Sequence, residues 1–129
     1  MPLVLIDMFC NKPNVYRLAI RDAVFETLGD VMGDAAEDCH GVVIDHEPDK
    51  QNDLTNHFGV QCNSDAILVT IVFNEEVGLD QKGLLYVAVV RALRQQVGLP
   101  SKEIALKLVE VGEQGSVGNI WLYIDALPR

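Results

Sequence analysis

Aromatic residues make up only 6% of this 129-residue chain, 10 basic residues face 19 acidic ones, and the three cysteines form no close pair. Each shortage excludes something. Few aromatics against 49% hydrophobic content mean an aliphatic core. A net charge of −9 lacks the basic footprint that nucleic acid or an anionic membrane surface requires. An odd set, Cys10, Cys39 and Cys62, is no disulfide framework and fits a reduced, cytoplasmic setting. No stretch has the length to span a bilayer, and the first apolar run is short, contains Asp7 and lacks a basic start, so no signal peptide is expected. His40, His46 and His57, taken with the cysteines, show neither Cys-x-x-Cys nor His-x-x-x-His spacing, so neither a metal nor a cofactor is expected. Gly112, Gly115 and Gly118 recur every third residue, but as a turn after a strand, without the helix a phosphate site needs.

What is present is a pattern that occurs twice. Residues 2–9 read as a buried strand. Asn11-Lys12-Pro13-Asn14 signals a helix start, and Tyr16, Ile20, Ala23, Val24, Thr27, Leu28 and Val31 form one helical face up to Gly33. A second strand covers 39–46, followed by a polar connection over 47–63. Strand, helix and strand then recur over 66–73, 80–97 and 104–111. Leu85, Ala88, Val89, Ala92 and Leu93 form the second helical face, and Gly98 and Pro100 stop that helix. A turn at 112–115 leads to a closing strand over 119–124. The spacing predicts one α/β (α+β) domain over 1–129. It holds two β-α-β units, 2–46 and 66–111, in a four-stranded mixed sheet with both helices on one face and a C-terminal hairpin. The strands are apolar on both sides, Leu3 and Leu5 against Val4 and Ile6, and Ile67, Val69 and Ile71 against Leu68 and Val72. Two helices cannot cover both faces, so an obligate oligomer is expected, the alternative being a monomer whose long loop folds over the open face.

Chemistry enters at residue 2. Removal of Met1 turns the inert amide nitrogen of Pro2 into a free secondary amine, able to act as base, nucleophile or, when protonated, acid. Apolar surroundings disfavour the ammonium form and make such an amine a general base near neutral pH, whereas carboxylates such as Asp38 and Glu76 favour the ammonium. Parallel pairing inside the first unit brings Pro2 and Asp38 to one sheet end. An antiparallel second unit brings Asn74 and Glu76 there as well.

The Met1-Pro2-Leu3 start, the doubled β-α-β pattern, Ala36-Glu37-Asp38 before the second strand, His46-Glu47-Pro48 after it and Ser116-Val117-Gly118-Asn119 near the C-terminus together resemble the tautomerase superfamily. The long-chain branch containing malonate semialdehyde decarboxylase is the most similar. The resemblance implies a homotrimer built around the sheets and a catalytic pair, Pro2 as acid or base and Asp38 activating water or positioning substrate. Two arginines after the third strand bind the substrate carboxylate in that family. Here Asn74 and Glu76 stand at those positions, Gly115 replaces a tryptophan, and Val117 replaces an aromatic. Asn and Glu cannot form an arginine's bidentate fork, and a glutamate repels an anion. Asn74, Glu76, Val117 and Trp121 are the candidate substrate-binding residues; for Trp121, packing or a subunit contact is the competing role. The expected activity is keto–enol tautomerisation of a small carbonyl compound, such as a 2-oxo acid or its enol. A decarboxylase or hydratase of a 3-oxo acid, and a non-catalytic trimeric module that lost the arginine-dependent chemistry, are the alternatives.

Overall fold

Strands of β-branched and aliphatic residues alternate with amphipathic helices, and each helix returns the chain so that its two strands lie parallel. The computed structural model describes residues 3–9, 12–33, 40–46, 66–74, 77–112 and 117–124. The elements are β1 (Leu3–Phe9), α1 (Asn14–Met32), β2 (His40–His46), β3 (Ile67–Phe73), α2 (Leu79–Gln96), β4 (Ile104–Val111) and β5 (Val117–Ile124), with one 3-10 turn at Ser101–Glu103 ahead of β4. The sheet order is β2-β1-β3-β4-β5. β1–β2 and β3–β4 pair parallel, and β1–β3 and β4–β5 antiparallel. The closing strand is thus the fifth strand of the sheet itself, two residues longer at its start than its sequence pattern indicates.

Side-chain alternation along each strand divides the sheet into two faces. Val4, Ile6 and Met8, then Ile67, Val69, Ile71 and Phe73, then Ile104, Leu106 and Leu108 form the core with Ile20, Val24 and Leu28 of α1 and Leu85, Val89 and Leu93 of α2. The helices run antiparallel: Gln81 near the start of α2 donates to the Val31 carbonyl in the last turn of α1, at 3.3 Å. Gly33 and Gly98, with φ of 85° and 83°, end their helices in the left-handed region that glycine enters without strain. Arg17 of α1 reaches across to Asp45 of β2 at 2.7 Å.

The second face is apolar, as its alternation predicts, but not bare throughout. At its centre Leu68, Thr70, Ala105 and Val109 are buried, whereas on its flanks Leu3, Val42, Ile120 and Leu122 are 40–55% exposed. The uncovered apolar surface therefore lies toward the two edge strands, β2 and β5, and at the start of β1.

Candidate functional site

Register decides which residues share a sheet end. Leu3 pairs with His40 on one side and with Val72 on the other. Val72 and Phe73 pair with Val109 and Glu110, and Glu110 pairs with Asn119. The start of β1, the start of β2, the ends of β3 and β4 and the start of β5 therefore meet at one end of the sheet, and α2 begins there. Pro2, Asp38 and Glu76 lie outside the described residues. The strand that Pro2 precedes and the strand that Asp38 precedes by two residues begin as Cα partners, Leu3 with His40. Asn74 is an exposed bend residue directly after β3. Val117 opens β5 opposite Val111. Trp121 sits two residues beyond Asn119, half-buried on the helix-covered face and packed against the core.

The same end carries a charged pair that the sequence reading did not single out. Lys82, in the first turn of α2, and Glu110, near the end of β4, are 3% and 5% exposed and 2.9 Å apart. Glu110 Oε2 also accepts the backbone N–H of Val77 at 2.9 Å, and Oε1 accepts from Asn119 Nδ2 at 3.5 Å. The Val77 N–H first, then the Lys82 ammonium, hold the Glu110 carboxyl below the usual carboxylate range, against the opposing effect of burial. Lys82 Nζ lies 3.1 Å from the centroid of the Trp121 ring, so the cation is sandwiched between a carboxylate and a π-face. Four positions on, Tyr86 stacks on Tyr123 at 5.2 Å, which continues the contact of α2 with β5.

A β-bulge marks this end. Glu110 pairs with Asn119 but Val111 with Val117, so Gly118 is the extra residue on β5. A Cβ at Gly118 would stand 3.4 Å from the Glu110 carbonyl oxygen, at the near edge of ordinary van der Waals contact. Among the described residues, no group of three His, Cys, Asp or Glu side chains could hold a metal ion, and no helix is long and apolar enough to cross a membrane.

Solved structures share this architecture, and the chain has the fold of the tautomerase superfamily. One is a malonate semialdehyde decarboxylase studied in wild-type, mutant and inactivated forms for its decarboxylase and hydratase activities. It is 22% identical, with 86% of this chain and 85% of that one covered and a TM-score of 0.74. A fused 4-OT wild-type symmetric trimer is 12% identical, with 88% of each chain covered and a TM-score of 0.69. A macrophage migration inhibitory factor-like protein from Entamoeba histolytica is 17% identical, covering 91% of this chain and 98% of that one, with a TM-score of 0.60. No family model matches the sequence, and no curated protein does.

Proposed function

We propose that this chain is a tautomerase-superfamily enzyme whose reactive group is the secondary amine of Pro2, freed by removal of Met1, and that it acts on a small carbonyl compound such as a 2-oxo acid or its enol. The observation that carries the reading is the register Leu3–His40 and Leu3–Val72, which gathers at one sheet end the strand termini that Pro2, Asp38 and Asn74 adjoin. The amine removes a proton alpha to the carbonyl and returns it at the other end of the enol, with no net gain or loss of atoms. Asp38 orients substrate or water, and Asn74, Glu76, Val117 and Trp121 line the site. With Asn74 and Glu76 in place of an arginine pair, these positions offer a substrate carboxylate no bidentate fork, so any carboxylate must be held by a cation elsewhere in the site. Decarboxylation is accordingly the second reading, supported by the likeness to malonate semialdehyde decarboxylase. The protein works as a homotrimer. The exposed apolar flanks of the second sheet face support this, as does the likeness to a fused trimer.

Two measurements test the proposal. Intact mass of the native protein should show Met1 absent; full retention caps the amine and ends the enzymatic reading. Ketonisation of phenylenolpyruvate should fall at least a hundredfold in Pro2→Ala. An unchanged rate removes Pro2 from the chemistry, and no rate above background in either protein assigns the chain to the non-catalytic alternative.

A further inference from the structure

The Lys82–Glu110 pair is buried, and it stands between Val77, just before α2, and the bulged start of β5. Cohesion between α2 and β4 alone does not call for charge, since apolar side chains of similar volume replace buried ion pairs with equal or better stability. Both Glu110 oxygens are instead committed to particular partners. Oε2 takes the Val77 N–H and the Lys82 ammonium, and Oε1 takes the Asn119 amide. Val77 closes the short segment that begins at Asn74, and Asn119 lies two residues from Val117 across the Gly118 bulge. One carboxylate therefore ties Val77, which follows Asn74 and Glu76 in the chain, to Asn119, which follows Val117 by two residues. Lys82 neutralises that carboxylate, and Trp121 covers the lysine from its other side.

We infer that Glu110 is a positioning residue for the site: its carboxylate, held by Lys82, fixes how far Val77, just before α2, stands from Asn119 at the start of β5. The role depends on a hydrogen-bond acceptor at this point, not on net charge, because the pair is neutral as a unit. An apolar replacement should keep the fold and loosen the segment, and a neutral replacement that keeps an acceptor should restore it.

The experiment compares Glu110→Leu/Lys82→Met with Glu110→Gln/Lys82→Met by amide hydrogen exchange with mass spectrometry on the full chain. Exchange over residues 74–78 should be at least tenfold faster in the Leu/Met protein, with residues 67–73 of β3 unchanged, and within threefold of wild type in the Gln/Met protein. Uniform acceleration across the sheet, or none, overturns the inference. Should the Leu/Met protein fail to fold, Glu110→Asp serves in its place: it keeps the charge but falls one methylene short of the Val77 N–H, and local acceleration over 74–78 is again required. The link to the site rests on the function proposed above and is read separately, as the rate of mass gain with 3-bromopropiolate, which inhibits a second malonate semialdehyde decarboxylase of this fold. Labelling should slow at least tenfold in the Leu/Met protein and recover with Gln/Met. Equal labelling of all variants overturns the positioning role even if exchange is local. If wild type takes no label, the functional reading fails and the exchange result alone decides whether Glu110 positions the segment.

Discussion

Gly41 shows how closely one position on β2 is fitted to the helix above it. It lies on the face that α1 covers, opposite Val4, and a Cβ built there would run into the ring of Phe25. The ring is half-buried and is flanked by the Arg21 guanidinium, 5.9 Å from its centroid, and it must shift for a Cβ to fit. Gly41→Ala should destabilise the protein by about 1–3 kcal/mol, the usual cost of overpacking, even though alanine is the better strand residue. Phe25→Leu should itself cost stability but remove most of the penalty at residue 41. A double-mutant cycle read by thermal or urea unfolding should thus give a coupling of about 1 kcal/mol or more. Additive effects would mean that the ring is not what limits residue 41.

At the scale of elements, the junction of α2 with β4 should make stability depend on pH in a particular window. The Glu110 carboxyl is held below its ordinary value, so folding favours its ionised form. That stabilisation is complete above the unfolded-state value of about 4.3 and is lost as pH falls through the lower folded value. Acid unfolding followed by circular dichroism should therefore steepen below about pH 4 in wild type and flatten in Glu110→Gln/Lys82→Met. An identical profile in both would remove Glu110 from the acid response. Lys82→Met alone leaves a buried carboxylate without its cation and should cost about 3–5 kcal/mol, more than the double replacement. The strands and helices at this junction were readable from sequence, because periodicity reports which face is apolar. The charged pair was also within reach. Lys82 falls on the helical stripe of Leu85, Val89 and Leu93, and Glu110 on the strand alternation of Leu106 and Leu108. Two opposite charges, each placed on an otherwise apolar face, are the signal of a buried pair. Pattern reading that counts apolar residues passes over them, and nothing in the sequence says that the two faces meet there. The 3-10 turn at Ser101–Glu103 was missed for a simpler reason: it is too short to show a period. The fold was legible to this degree because it repeats. The site was legible only as a list of chain positions, since the register that gathers the strand ends is a tertiary property.

For the whole molecule, the distribution of exposed apolar side chains decides what can cover the sheet. Leu3, Val42, Ile120 and Leu122 face away from the helices, while Leu68, Thr70, Ala105 and Val109 between them are already buried. A partner that covered the middle would gain little; one that packed along the β2 and β5 flanks would gain most. Copies of the chain arranged in a closed ring meet flank to flank, each burying apolar side chains worth about 1.5–3 kcal/mol apiece. Sedimentation at micromolar concentration should accordingly give a species about three times the 14.2 kDa chain mass. Val42→Lys and Leu122→Lys, one on each edge strand, should each remove one such contribution and add an unpaired charge, weakening association by at least about tenfold to a hundredfold. Far-ultraviolet circular dichroism should stay unchanged, because neither side chain belongs to the helix-covered core. In a ring each flank contacts the other flank of a neighbour, so either lysine alone opens the assembly and mixing the two variants does not restore it. A wild-type chain sedimenting as a stable monomer would refute the assembly outright, and a trimer indifferent to both lysines would move its interface off this face.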